Sequence, residues 1–312
     1  MKKIIYIVSV LLITFMSACD ELPDEQFDKK VNLIKNGWVD MNLEILADNI
    51  IEIPVNISVS GTSKNEKTVE VVLDTISKLL SDYNFEKYRN ETELYYNLVP
   101  AEALSFSKDV VIPAGEEQVN TIVKVDLNKL TNRYGDYVLP IGIKSTSEYS
   151  VGNSNYSTGL YHIVLTNRFS GNYGADIAVM KLRPNGASIL TDKTSVANKS
   201  LYAISNNECF FYAGQYNRNS LGRDKFIVKL KIDNEEISLS GVNPDLGLEI
   251  TALDSIPKVS YTIERNREDN RYVTLTTKID LSYVFMDLGL EKPEKRRAAG
   301  LMSNSRSVLK EQ

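Results

Sequence analysis

Ile51-Glu52-Ile53-Pro54-Val55-Asn56-Ile57-Ser58-Val59 puts an apolar side chain at every second position, with a polar residue or a proline between. A period of two is the pattern of a strand buried on one face. Ser60-Gly61-Thr62 closes the run with turn residues. Pro54 has no N–H to give to a ladder, so the strand is expected at a sheet edge or at a bulge. Composition points the same way. The 312 residues include 17 Tyr, and Val, Ile and Thr are plentiful. Such residues suit pleated, half-buried surfaces. The chain is therefore read as mainly β.

Outward from that strand, residues 31–46 hold the only tryptophan, Trp38, and read as an irregular segment or edge strand. Trp38 could stack on sugar, but a lone tryptophan near a domain start is usually core. In residues 68–73, Val69, Val71 and Leu73 share one face. Residues 74–83 switch to helical spacing through Ile76, Leu79, Leu80 and Tyr83, with Asp74 as the candidate cap. A tyrosine-rich stretch follows over 86–98. Further short strands are expected at 104–106, 110–112, 121–127, 137–143 and 159–166. About seven strands in about 130 residues predict an immunoglobulin-like β-sandwich over residues 39–166.

Asn167-Arg168 reads as the join to a second unit, residues 167–290. Strands are expected there at 177–182, 201–204, 208–213, 225–232, 236–240, 248–252, 258–264, 272–279 and 283–286. Asn185-Gly186 and Asp233-Asn234 are hairpin signals. Eight or nine antiparallel strands predict a C-terminal antiparallel β-barrel of the lipocalin-like, up-and-down type, or a two-sheet sandwich. From Glu291 the chain turns polar. Residues 291–312 read as a tail without fixed structure, and the basic run 295–297 as solvated.

The N-terminus carries its own message. Lys2 and Lys3 precede an apolar run over 4–15, and Ser17-Ala18 leads to Cys19. The run is too short to span a bilayer as a mature helix, so residues 1–18 read as a signal peptide. Cys19 at the cleavage position resembles a bacterial lipobox, which implies lipidation of that thiol. Met16 departs from the usual Leu. Asp20, Glu21, Asp24, Glu25 and Asp28 follow at once, so residues 19–38 read as an acidic tether and lead-in. That cluster resembles the export signal of Bacteroidetes surface lipoproteins, implying the outer membrane and its cell-surface leaflet.

A wider resemblance covers residues 39–166. Leu73-Asp74, Leu79-Leu80, Tyr83-Asn84, Leu98-Val99-Pro100, Ile112-Pro113-Ala114-Gly115 and Tyr137-Val138-Leu139-Pro140-Ile141 occur in the order found in the N-terminal domain of uncharacterised Bacteroidetes surface lipoproteins. Val99 stands where that pattern has Leu. Phe169-Ser170-Gly171-Asn172-Tyr173 resembles the opening of their C-terminal β domain. The resemblance implies a polysaccharide-utilisation setting. The partners it implies are a membrane held through the lipid anchor, a polysaccharide or oligosaccharide, and a TonB-dependent uptake complex.

Charge and residue counts exclude several functions. The net charge is −5 and falls to about −7 once Lys2 and Lys3 leave with the signal, so no nucleic-acid partner is expected. With Cys19 committed to lipid, Cys209 is left alone beside Phe210-Phe211 and reads as a buried small hydrophobe. The single histidine, His162, forbids a histidine-rich metal site and reads as a packed strand residue. No nucleophile elbow or phosphate-binding loop occurs. No catalytic residue, metal or cofactor is assigned. A glycoside hydrolase needs only two facing carboxylates, and 41 acidic residues offer no distinguished pair.

Sugar binding needs aromatic plates beside polar hydrogen-bonding groups. The densest mixture is Tyr212, Gln215, Tyr216, Asn217, Arg218, Asn219 and Arg223, expected on a loop at the rim of the second domain. Tyr149, Asn153, Asn155 and Tyr156 form a weaker one. The preferred reading is a non-catalytic, surface-anchored lipoprotein that binds glycan or assists polysaccharide uptake. An adhesin-like assembly subunit and a hydrolase are the alternatives.

Overall fold

The structure, a computed structural model, describes residues 27–309 apart from 47, 251–256, 266–268 and 270. Cys19 and the acidic cluster up to Glu25 lie outside the described residues. The protein is mainly β. Its first half contains β1 (Lys30–Leu33), β2 (Gly37–Glu44), β3 (Ile50–Ser60), β4 (Val69–Thr75), helix α1 (Ser77–Tyr88), β5 (Asn97–Leu98), β6 (Leu104–Ser105) and β7 (Asp109–Ile112). β8 (Gln118–Asp126), β9 (Tyr137–Thr146), β10 (Ser150–Val151), the short helix α2 (Ser154–Ser157) and β11 (Thr158–Thr166) complete it.

These strands make two sheets. One runs β10-β1-β3-β8-β6; the other runs β2-β11-β9-β4-β7, with β5 also on β9. The alternation in β3 does what it predicts. Ile51, Ile53, Val55 and Ile57 are fully buried against Leu73, Leu139, Ile141 and Tyr161 of the other sheet. Each such side chain contributes about 1.5–3 kcal/mol of burial. Pro54 is accommodated because β1 reaches only to Leu33, opposite Ile57. At Pro54 the strand has β8 on one side and no strand on the other, so a missing N–H costs no ladder bond.

Three expectations change. β1 and β2 are paired strands, so the sandwich takes in residues read as lead-in. The sandwich has eleven strands because short edge pieces such as β5, β6 and β10 pair without any alternating pattern to announce them. Asp74 does not cap α1: Ile76 occupies that position with no side-chain cap, and Asp74 Oδ1 accepts from Lys108 Nζ at 2.9 Å instead.

The second half is a closed barrel of eight antiparallel strands in chain order. They are β12 (Gly171–Leu182), β13 (Ser188–Ala203), β14 (Glu208–Tyr212), β15 (Ile227–Asp233), β16 (Glu236–Gly241), β17 (Lys258–Arg265), β18 (Tyr272–Asp287) and β19 (Glu294–Leu309). The barrel, not the two-sheet sandwich, is realised. Residues 272–287 form one long strand rather than two, and 248–250 make only an isolated bridge, Glu249 to Val284. The expected disordered tail is wrong. Its residues from Glu294 form β19, which pairs with both β18 and β12 and closes the barrel. Polarity misled because β19 keeps only a few inward residues apolar, among them Ala298 and Met302. The basic run 295–297 is not simply solvated, since Lys295 pairs with Glu249 and the mostly buried Arg296 with Asp287. Gly300 makes the closure possible: its φ is 152°, and an added Cβ would fall 1.9 Å from Asp176 O on β12.

Phe211, Phe226, Tyr283, Phe285 and Ile279 fill the barrel interior, as small barrels are filled. Asn167 staples the join. Its Oδ1 accepts from the backbone N–H groups of Phe169 and Ser170, and its Nδ2 donates to Ser205 O and Glu208 O. Cys209 is fully buried, and burial pushes its thiol up to about 12.

Candidate functional site, an aromatic cluster beside the domain junction

β2 and β11 run parallel with Trp38 opposite Leu160 and Asp40 opposite His162. Met41, Leu43, Tyr161 and Ile163 point into the sandwich core. Strand alternation therefore sends Trp38, Asp40 and His162 to the outer face. There α1 covers them. Tyr83 and Lys87, four residues apart, share one side of that helix.

Asn84, buried on the same helix, fixes the next segment. It donates to Tyr96 O at 2.9 Å and accepts from Tyr96 N at 3.0 Å. Trp38 stacks on Tyr83 with centroids 4.5 Å apart and planes 13° apart. Tyr96 lies 4.8 Å from Trp38 and 5.8 Å from Tyr88. All four rings are half-buried.

Polar groups lock the floor of this cluster. Asp40 Oδ1 accepts from Trp38 Nε1 at 3.1 Å and meets His162 Nδ1 at 2.7 Å. Burial pulls His162 below its usual range, an effect that Asp40 only partly offsets. The ring is then neutral near pH 7, with its proton on Nδ1. Nε2 is buried and makes no hydrogen bond. Lys87 Nζ stands over the cluster, 5.4 Å from the Trp38 and Tyr83 centroids, 5.1 Å from Tyr88 and 5.0 Å from Tyr96. It donates to Tyr96 Oη at 3.1 Å and Tyr83 Oη at 3.4 Å. Burial lowers its pKa, but these phenol contacts outweigh burial and raise it overall, so the ammonium is charged. Burial and the Tyr88 phenol push Tyr96 up to about 12.

The residues singled out from sequence lie next door and mostly serve another purpose. Tyr212 is buried on the outer face of β14, at the domain junction, edge-on to Phe210. Tyr216 stacks on Phe226 with centroids 3.5 Å apart, and its hydroxyl donates to buried Asp287 at 2.6 Å. Arg218 grips Asp136 of the sandwich through two hydrogen bonds, Nε to Oδ2 at 2.8 Å and Nη2 to Oδ1. Arg223 Nη2 adds a contact to Asp136 Oδ2 at 3.3 Å. Gly222 N donates to Glu93 Oε2 at 2.8 Å, and Tyr134 packs edge-on to Phe210. Only Gln215, Asn217 and Asn219 stay exposed. Part of the expected rim platform thus serves as a junction between domains, while buried Tyr212 and half-buried Tyr216 line, with Gln215 and Asn217, a cavity of about 220 Å³.

Lys199, also buried, donates to Gly214 O and Tyr216 O and supports this turn from below; burial pulls its amine down to about 7. In the weaker loop, Tyr149 is tied to Asn65 at 3.1 Å. Tyr156 is exposed beside a cavity of about 340 Å³ lined by Asn32, Ser60 and Asn153.

Sequence reasoning missed the Trp38 cluster. One signal was present: Tyr83, Phe85, Tyr88, Tyr95 and Tyr96 fall close together on an otherwise polar stretch.

Residues 27–150 match a family model described as an N-terminal domain, and residues 157–303 match one described as C-terminal. Together the two matched regions take in most of the chain, an N-terminal domain followed by a C-terminal one. A protein of unknown function from Bacteroides ovatus has a similar structure, with TM-score 0.79 and 22% identity over 91% of this chain and 96% of that one. An auxiliary nutrient binding protein from Bacteroides thetaiotaomicron is similar with TM-score 0.76 and 21% identity, over 88% and 92% of the two chains. Identities this low speak for the shared fold. No curated protein sequence matches the chain. Both matched regions lie in order, the first on the sandwich and the second on the barrel.

Proposed function

We propose that this protein is a non-catalytic, surface-anchored lipoprotein that binds glycan or assists a TonB-dependent polysaccharide-uptake complex. The observation that carries this reading is the Trp38 cluster. Four half-buried aromatic rings gather on the outer face of the sandwich, held from behind by Asp40, His162 and Asn84. Pyranose C–H faces stack on such rings, and the phenols and the Lys87 ammonium offer hydrogen bonds to hydroxyls. A rigid platform of this kind binds without losing much side-chain entropy. The structural relative called an auxiliary nutrient binding protein fits a binding role. An acylated Cys19 would tether the immunoglobulin-like sandwich and the lipocalin-like barrel to the outer membrane.

The test is a glycan array probed with the intact protein and with Trp38→Ala. A central aromatic anchor is worth about 2 kcal/mol or more, so the variant is expected to lose binding by roughly thirtyfold with its fold intact. Binding unchanged by the substitution, or failure to bind any glycan, would sink the reading. Mass spectrometry of the membrane-extracted protein is expected to show fatty acyl chains on Cys19.

A further inference from the structure

We infer that the Trp38 cluster selects acidic saccharides, those carrying a carboxylate or sulfate, over neutral ones, with Lys87 as the group that reads the charge. The inference rests on the glycan-binding reading and adds the ligand class.

Four rings surround one ammonium, each within 5.0–5.4 Å of Nζ. Its hydrogen bonds go to two phenol oxygens, which are neutral. Among the described residues, no carboxylate lies within ion-pair distance of it. The acidic groups around it make other contacts: Asp40 Oδ1 meets Trp38 and His162 while the rest of its carboxylate stays exposed, Asp82 pairs with Lys78 at 2.7 Å, and Glu93 accepts from Gly222 N. Arg89 lies over the Phe85 ring, 5.6 Å from its centroid, away from this ammonium.

An ammonium has three N–H donors. Two point at Tyr83 and Tyr96, and Lys87 is exposed, so the third is open to a ligand. A sugar stacked on the Trp38–Tyr96 face would bring a ring substituent next to Nζ. A carboxylate or sulfate there makes a charge-assisted bond, about twice as strong as one from a hydroxyl. The half-buried rings displace water from one side of the ammonium and strengthen that contact. The rest of the protein is acidic, with a net charge of −5. Long-range attraction of polyanions is therefore weak, and charge recognition depends on this one group.

The experiment compares polygalacturonate, alginate and hyaluronan with their carboxyl-reduced, neutral counterparts on the intact protein, alongside Lys87→Met and Lys87→Arg. The expected result is at least tenfold tighter binding of an acidic polymer than of its reduced form, weakening as sodium chloride rises. Lys87→Met should erase the preference, and Lys87→Arg should keep it. Equal binding of acidic and reduced forms through Trp38 overturns this inference alone. So does tighter binding of neutral polymers by Lys87→Met, which would make the lysine a plug. No binding of any polymer overturns the glycan reading with it.

Discussion

Two assemblies of the same chemistry stand close together in this molecule. In each, a cation lies on aromatic rings. Arg218 sits 5.0 Å from the Tyr202 centroid and is neutralised by Asp136, a buried carboxylate from the other domain. Lys87 sits on Trp38, Tyr83, Tyr88 and Tyr96 with no carboxylate beside it among the described residues. The first assembly is closed by its own chain and joins the domains. The second carries its charge without such a partner, which is why we propose it as the binding group. Residue type alone does not separate a structural aromatic–cation group from a binding one. The presence of a matched internal counter-charge does.

The largest effect is expected at Asp136. Asp136→Ala leaves two guanidiniums facing each other in a buried junction, and losing one partner of a buried ion pair costs about 3–5 kcal/mol. Urea unfolding is expected to split into two transitions, one per domain. A single unshifted transition would show that the junction is not what couples them.

Tyr216→Phe comes next. It removes one donor to the almost fully buried Asp287, which keeps Gly289 N and Arg296 at 3.2 Å, at a cost of about 1 kcal/mol. Because Tyr216 belongs to the closed assembly, glycan binding should not change. A loss of binding with unaltered stability would move the site back to the barrel rim.

Lys199 gives a pH signature. Its folded pKa, about 7, lies below the ordinary 10.5. Between those values the unfolded chain holds more protons than the folded one, so stability rises with pH from about 7 to about 10.5. The slope is at most about 1.4 kcal/mol per pH unit. Urea midpoints at pH 7 and pH 9 should differ in that sense, and Lys199→Met should flatten the trend.

The smallest effect on stability belongs to Lys87→Met. An exposed cation–ring contact is worth about 0.5–1 kcal/mol, so thermal unfolding should barely move. A large destabilisation would place Lys87 with Arg218 as structural.

Legibility in the sequence followed the range of the interactions. Strong alternation in β3 and the hairpin signals at Gly186 and Asn234 are local, and they gave the strands and the barrel. β19 was lost because a barrel strand with Gly300, Ala298 and several arginines has little local pattern; its partners lie far away in β12 and β18. The glycan loop was found as a composition of Tyr, Asn and Arg, but where those side chains point depends on Phe226, Asp287 and Asp136. Trp38, Tyr83 and Tyr96 are separated in the chain and meet only when β2 pairs with β11 and α1 folds across them.

What the chain's order of residues determined by itself is the β character and the two-unit division. These depend on hydrophobic period, turn residues and counting. Tertiary structure alone decided which aromatic group is sealed and which is open. That depends on whether a counter-charge from a distant segment arrives within a few ångströms, and no local pattern encodes such a meeting.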